Sequence, residues 1–283
     1  MSDQNNPRVI LNSDDFGLSS SINEAVVKAH REGVLTSASL MVNGGAFDEA
    51  VELAKLNPKL GVGLHLTLVM GRATLPPGQL PNLVDARGNF SNNPVAAGMK
   101  AFFNRAARPE LEAEIAAQIA KFRSTGLTLD HLNGHLHFHL HPTIFDILMK
   151  CQNEWNIPAI RFTNDVFRIN RRIAKGNWFY QVSHALIFRL LSRRALPKLE
   201  RSGIRHTNHV FGLLQNDRVD EEYLLKLLPA LPPSPVEIYS HPNMDSNRHE
   251  LDALTSPRVA DLIKKLGIQL CRYQDLHQPA NKL

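Results

Sequence analysis

Short apolar runs alternate with amphipathic helical patterns along most of the chain. RVILNS, TSASLMVNG, LGVGLHLTL, LTLDHLNG, PAIRFT, VEIYSHP and IQLCRYQ read as strands, being brief, apolar and bounded by turn-forming residues. SINEAVVKAHRE, AFDEAVELAKL, PELEAEIAAQIAKFRS, TIFDILMKCQNEW, DEEYLLKLLPAL and SPRVADLIKKLG repeat apolar residues three and four apart, which predicts helices. Repeated strand and helix units with no break in composition predict a single α/β domain over residues 1–283, a parallel sheet covered by helices. With about seven strands, a (β/α) barrel, TIM-like or incomplete, is the expected architecture. Two stretches interrupt the alternation: 71–107, rich in Pro, Gly and Asn, and 162–205, which is basic. Both are expected to be loop insertions at the active-site end, since barrels carry function in loops at the C-terminal ends of their strands.

Histidine breaks the apolar pattern most sharply in LDHLNGHLHFHLHP, where His131, His135, His137, His139 and His141 crowd together. The last four recur every second residue with Leu136, Phe138 and Leu140 between them, a strand period that sets four imidazoles on one face. A core face is not built that way, because each buried ring N–H needs a partner. Some of these histidines then sit in water at a strand end, while at least one is a candidate metal ligand needing help from elsewhere in the chain. The first strand ends in NSDDFG, placing Asp14 and Asp15 at its C-terminal rim. A helix-capping role for that pair is weakened by Ser19, Ser20 and Ser21, which offer caps of their own. His65 lies inside the apolar run VGLHLTL, and His241 ends VEIYSH just before Pro242, where a strand must stop.

Composition narrows the class. At 283 residues, 43% hydrophobic and 21% charged, the chain has the make-up of a soluble globular protein. Its two cysteines, Cys151 and Cys271, are far apart, which predicts neither a disulfide framework nor a thiolate metal site. The N-terminal residues lack the basic and apolar regions of a secretory leader, so a cytoplasmic location is expected.

Taken together, SDDFGLS, GVLTSASLMVNG, VGLHLTL, HLNGHLHFHLHP and EIYSHP resemble the YdjC-like carbohydrate deacetylases, the family that includes chitooligosaccharide deacetylases, in order and spacing from about residue 8 to 275. LVMGRATLPP, AFFNRAARPELEAEIAAQ and NHVFGL resemble most the hopanoid-biosynthesis-associated HpnK branch. The resemblance implies that Asp15, His65 and His135 hold one divalent metal ion, that Asp14 is the catalytic base and that His241 acts as acid. Arg161, His137 and His209 are the expected substrate contacts. Chitooligosaccharide-type members read Asp-Ser before the metal histidine, where this chain has Asn133 and Gly134. The ligand survives that change, and the role of the acidic side chain does not carry over. Two imidazoles and a carboxylate favour zinc, and the resemblance also admits magnesium. Such a metal suits amide hydrolysis, because it polarises a carbonyl and acidifies water. The implied substrate is an N-acetylglucosaminyl group on a hopanoid glycolipid or on a soluble sugar.

The basic stretch bears on that choice. Residues 161–205 hold eleven Lys or Arg against Asp165 and Glu200, a local charge of +9 in a chain of net charge +5. Within it, Trp178, Val182, Ala185, Leu186 and Leu190 recur at helical spacing near Arg189, Arg193 and Arg194. A basic amphipathic helix over 178–194 reads either as a packed helix with a solvated face or as a peripheral contact with the inner membrane surface, and an amphiphilic substrate favours the second. No nucleic-acid partner is expected, since no binding motif accompanies the charge. Three other classes compete. A glycoside hydrolase would pair Asp14 or Asp15 with Glu237, a phosphatase would gather two metals, and a non-catalytic sugar or lipid binder would show no turnover.

Overall fold

The computed structural model describes residues 7–173, 178–215, 217–233 and 235–276. The chain opens with strand β1 (Arg8–Phe16), helix α1 (Ser20–Glu32), β2 (Ser37–Leu40), α2 (Phe47–Lys55) and β3 (Gly61–Leu66). After an irregular excursion come α3 (Pro94–Phe103), α4 (Ala107–Ser124), β4 (Leu132–Gly134) and α5 (Pro142–Cys151). The basic stretch supplies α6 (Phe167–Ile173) and the long α7 (Trp178–Ser202); Lys175 lies outside the described residues. The chain continues with β5 (His209–Phe211), α8 (Glu221–Leu227), β6 (Val236–Ser240), α9 (Arg248–Leu254), α10 (Pro257–Lys265) and β7 (Gln269–Leu270).

All pairings between these strands are parallel, in the order β4-β3-β2-β1-β6-β5, with β7 joined to the start of β1. The sheet curls into a half-barrel rather than a closed eight-stranded TIM barrel. PAIRFT, expected as a strand, contributes only two isolated bridges, Leu132 to Ile160 and Ala159 to Arg205, across the open side. IQLCRYQ keeps two strand residues, and β5 arises in NHVFGL, where no strand was expected.

The strands lining the centre of the sheet have an apolar outer face and a mostly polar inner one. Val9, Leu11, Ala38, Leu40, Val62, Leu64, Leu132, Val236 and Ile238 belong to the large cluster packed under the helices. The alternate positions turn inward and bond to one another: Asn12 and Asp14 of β1, Ser39 of β2, His65 of β3, Asn133 of β4 and, through Arg161, Glu237 of β6. Gly63 completes the inner ring, where a Cβ would lie 2.4 Å from the His131 imidazole. A buried polar interior of this kind is stable only when its groups satisfy each other.

Candidate metal centre and active site

At the C-terminal rim, the ladder between β1 and β2 shifts register between Ser13 and Phe16. Asp15 adopts φ 63°, a left-handed conformation. This irregularity separates the adjacent carboxylates: Asp14 enters the barrel, and Asp15 turns to the histidines. Asp15 Oδ1 stands 3.2 Å from His65 Nε2 and 3.2 Å from His135 Nδ1. The two rings meet edge to face, with centroids 5.5 Å apart. Asp15, His65 and His135 bring their ligand atoms within 4.8 Å of one another and can hold a divalent metal ion. They are the one such group among the described residues.

A test of fit lies behind His65. Its Nδ1 is 2.7 Å from Asn133 Oδ1, which favours the tautomer that carries its proton on Nδ1 and turns the Nε2 lone pair toward Asp15. Two acceptors then face each other at 3.2 Å, an arrangement that a shared cation relieves. A metal-binding histidine held by a hydrogen bond through its other nitrogen has this form.

Asp14 is buried, and Arg161 grips it through two bonds of 2.7 and 2.8 Å. Arg161, itself fully buried, also bonds Glu237, which accepts a 2.5 Å hydrogen bond from the Tyr273 hydroxyl. Burial alone would raise the Asp14 pKa, but the charge and hydrogen bonds of Arg161 hold it far below the usual carboxylate range. Burial likewise works against Asp15, and the hydrogen bond from His135 helps hold its pKa well below the usual carboxylate range. Glu237 is fully buried and engaged by Arg161 and Tyr273. It therefore lacks the open face that a glycosidase carboxylate needs.

His241 follows β6, and its Nδ1 lies 2.9 Å from Asp217 Oδ1. Burial favours the neutral ring, yet the Asp217 hydrogen bond and the charges of Asp15, Asp14 and Glu250 push its pKa up to about 10. The buried Glu250 carboxylate accepts from the backbone N–H of His241 at 2.5 Å and from that of Val219 at 2.7 Å, tying the two loops together. Sequence reasoning missed Asp217 and Glu250. Both lie outside the strands, and no local pattern links them to His241.

The histidine run does not continue as a strand. β4 stops at Gly134, and residues His135–Leu140 form tight helical turns with Leu136 and His137 at φ 51° and 56°. The rings therefore disperse. His135 joins Asp15, while His137 Nε2 lies 2.9 Å from the Tyr239 hydroxyl. His139 is fully buried and meets the Arg161 carbonyl at 3.0 Å, and burial, followed by the Arg161 charge, lowers its pKa to about 3. His131 is wedged between Ser39 and Asp130.

The expected substrate contacts fare differently from the triad. Arg161 has no exposed surface and acts on Asp14. His137 is buried against Tyr239 and Phe188. His209 begins β5, at the strand end opposite the triad, beside Asn164, and lines a cavity of about 430 Å³ between α6 and α7. Val182, Ala185 and Leu186 also line that cavity. On the outside, α7 exposes Leu186, Ile187 and Leu190, while α3 exposes Val95, Met99, Phe102 and Phe103. No helix among the described residues is long and apolar enough to cross a membrane.

A half-barrel with a histidine and carboxylate triad at its C-terminal rim defines the class. Residues 8–265 match the family of YdjC-like proteins, and the chain belongs to that family. It is 41% identical over 152 residues to a carbohydrate deacetylase of Brevibacillus brevis, an alignment covering 54% of this chain and 58% of the relative. A carbohydrate deacetylase of Thermoanaerobacter pseudethanolicus aligns over 95% of this chain and 98% of its own length at 29% identity. Several such alignments, that to Brevibacillus brevis among them, span little more than half of the relatives they match. Among solved structures, one from Enterococcus faecalis V583, whose name refers to cellobiose-phosphate cleavage, covers 96% of this chain and 100% of its own, with TM-score 0.75 and 24% identity. That likeness shows the shared fold.

Proposed function

We propose that this chain is a metal-dependent N-deacetylase that hydrolyses the acetamide of an N-acetylglucosaminyl group. The observation that carries the reading is the facing pair of acceptors, His65 Nε2 and Asp15 Oδ1, joined by His135 Nδ1 at the rim of a YdjC-family half-barrel. A divalent cation held by these three would polarise the acetyl carbonyl and acidify attacking water. Zinc fits two imidazoles and one carboxylate better than magnesium does.

In this reading Asp14, ionised at any working pH and fixed by Arg161, takes the proton from water. His241, charged through Asp217, gives a proton to the departing nitrogen, since an amine leaves best as the neutral molecule. Glu237 and Tyr273 hold the far side of Arg161 and so set where Asp14 can stand. The relatives named as carbohydrate deacetylases support the same reaction class.

The finer substrate in this reading is a hopanoid glycolipid, with α7 resting on an anionic membrane surface. Its support is the exposed apolar row Leu186, Ile187 and Leu190 beside Arg189, Arg193 and Arg194. Mass spectrometry of metal-loaded protein incubated with N-acetylglucosaminyl sugars and lipids tests the reaction. Release of acetate with loss of about 42 mass units is expected, acetyl being replaced by hydrogen. Intact substrates after chelator-sensitive metal loading would refute it.

A further inference from the structure

The side chain of Asn133 touches both halves of the proposed machinery. Its Oδ1 meets His65 Nδ1 at 2.7 Å. Its Nδ2 donates to Asp14 Oδ1 at 3.1 Å and to Ser39 Oγ at 2.8 Å. The amide orientation follows from geometry, because both Asp14 oxygens already accept from Arg161 and so face the NH2 group. Ser39 reinforces this polarity. Its oxygen receives Nδ2 groups from both Asn133 and Asn12, so its own proton goes to His131 Nε2 at 2.9 Å. His131 in turn gives its Nδ1 proton to Asp130, 3.0 Å away. The chain Asn133, Ser39, His131, Asp130 has one self-consistent direction, and every member is buried.

We infer that Asn133 is a two-sided positioning residue: its oxygen fixes the His65 tautomer that exposes Nε2 to a metal, and its nitrogen holds the adjacent Asp14 carboxylate in place. Among side chains of this size, only an amide accepts on one side and donates on the other. An aspartate could still accept from His65, as carboxylate partners of metal histidines do. It would also place a second anion against Asp14 at the present 3.1 Å contact. An alanine would serve neither neighbour. The asparagine is therefore matched to a carboxylate that Arg161 already holds from the other side.

This inference rests on the metal site of the proposed function, and its test needs no sugar substrate. Zinc affinity is measured by competition with a chromophoric chelator for wild type, Asn133→Ala and Asn133→Asp. The alanine variant should bind zinc about 10–100-fold more weakly, while the aspartate variant should stay within roughly threefold of wild type. Nitrogen-15 NMR of the zinc-loaded wild type should show His65 protonated on Nδ1. Melting temperature tests the donor side: Asn133→Asp should lower it, and should lower it much less in an Asp14→Asn background, where no anion stands at the 3.1 Å contact. Unchanged zinc affinity in Asn133→Ala, or a His65 proton on Nε2, would overturn the tautomer role. An Asn133→Asp melting temperature equal to wild type, or an equal drop in the wild-type and Asp14→Asn backgrounds, would overturn the Asp14 role. Should the alanine variant fail to fold, the wild-type NMR signature still decides the first half. If wild type binds zinc but deacetylates nothing, the reaction fails while this inference stands.

Discussion

Arg161 and Asp14 form a two-pronged ion pair, Nη1 to Oδ2 at 2.7 Å and Nη2 to Oδ1 at 2.8 Å, closed off from solvent. The same guanidinium lies over the Tyr239 ring, 4.5 Å from its centroid, and serves Glu237 as well. One cation thus offsets two buried anions, so its removal strands both. Arg161→Met should destabilise the fold by about 3–5 kcal/mol, the usual cost of breaking a buried pair. Chemical denaturation monitored by circular dichroism checks this. A loss under about 1 kcal/mol, the scale of an exposed pair, would mean that the carboxylates find protons or water instead.

Metal retention should discriminate among the histidines. His135→Ala removes one of the three clustered nitrogen and oxygen donors. Its affinity for zinc should fall by more than the roughly 10–100-fold that losing a ligand's hydrogen-bond partner costs. His137→Ala removes a ring occupied by Tyr239 and Thr163 and should keep the metal. Equilibrium dialysis with metal analysis reads both variants, and the reverse ranking would move the site.

Asp14 is separable from Asp15 in the same way. Asp14→Asn should hold zinc, because Asp14 is outside the ligand group, while turnover falls by about 10²–10⁴-fold with loss of the proton acceptor. Asp15→Asn should lose metal and turnover together. Equal metal loss in the two variants would make both carboxylates ligands and remove the base.

His241 gives a pH signature. Its ordinary pKa of 6.5 is raised to about 10 despite burial, chiefly through Asp217. A raised folded-state value means that the pair stabilises the fold fully below about pH 6.5 and that this contribution fades as pH climbs toward about 10. Asp217→Asn should bring the His241 titration down by about 1–3 units, and the alkaline fall of kcat/KM should move with it. A cation on Asp15 cancels part of the local negative charge, so the loaded protein should titrate below the metal-free one. NMR titration of the ring checks the shift, and an alkaline limb indifferent to Asp217 would take the acid role from His241.

How much of this was legible beforehand depended on whether a residue's neighbours were set by local pattern. Asp15, His65 and His135 each sit at the end of a run whose apolar periodicity announced a parallel strand, so the topology alone carried them to one rim. The inner face was also written in the sequence. Asn12 and Asp14, Ser37 and Ser39, Gly63 and His65, and Glu237 and Tyr239 each fall on alternate positions of a strand. Apolar runs drew attention to the outer face instead. Alternation misled in HLHFHLH, because two consecutive left-handed residues, Leu136 and His137, end the strand geometry. Those conformations are held by tertiary contacts such as the His137 bond to Tyr239. Asp217, in a loop, and Glu250, on α9, were illegible for the same reason: partnerships between distant segments have no local period.

The last expectation concerns the substrate. Leu186 and Leu190 are each 58% exposed on α7, one helical turn apart, and Ile187 beside them is 51% exposed. Phe188 on the same helix packs against His137, only two residues from His135. A bilayer seated on that row would therefore lie near the proposed site, and Arg189 and Arg193 would face its anionic headgroups, Arg194 being paired with Asp146. Turnover of a vesicle-borne N-acetylglucosaminyl hopanoid should exceed that of soluble N-acetylglucosamine oligomers. Changing Leu186 and Leu190 to Glu should remove that advantage, because burying a carboxylate in a lipid surface is costly, while leaving soluble turnover within about twofold, as expected for exposed positions away from the chemistry. Vesicle co-sedimentation measured alongside should fall in parallel and weaken with salt. Equal turnover of lipid-borne and soluble substrates, indifferent to the leucine changes, would leave α7 a solvated helix and assign the enzyme to free sugars.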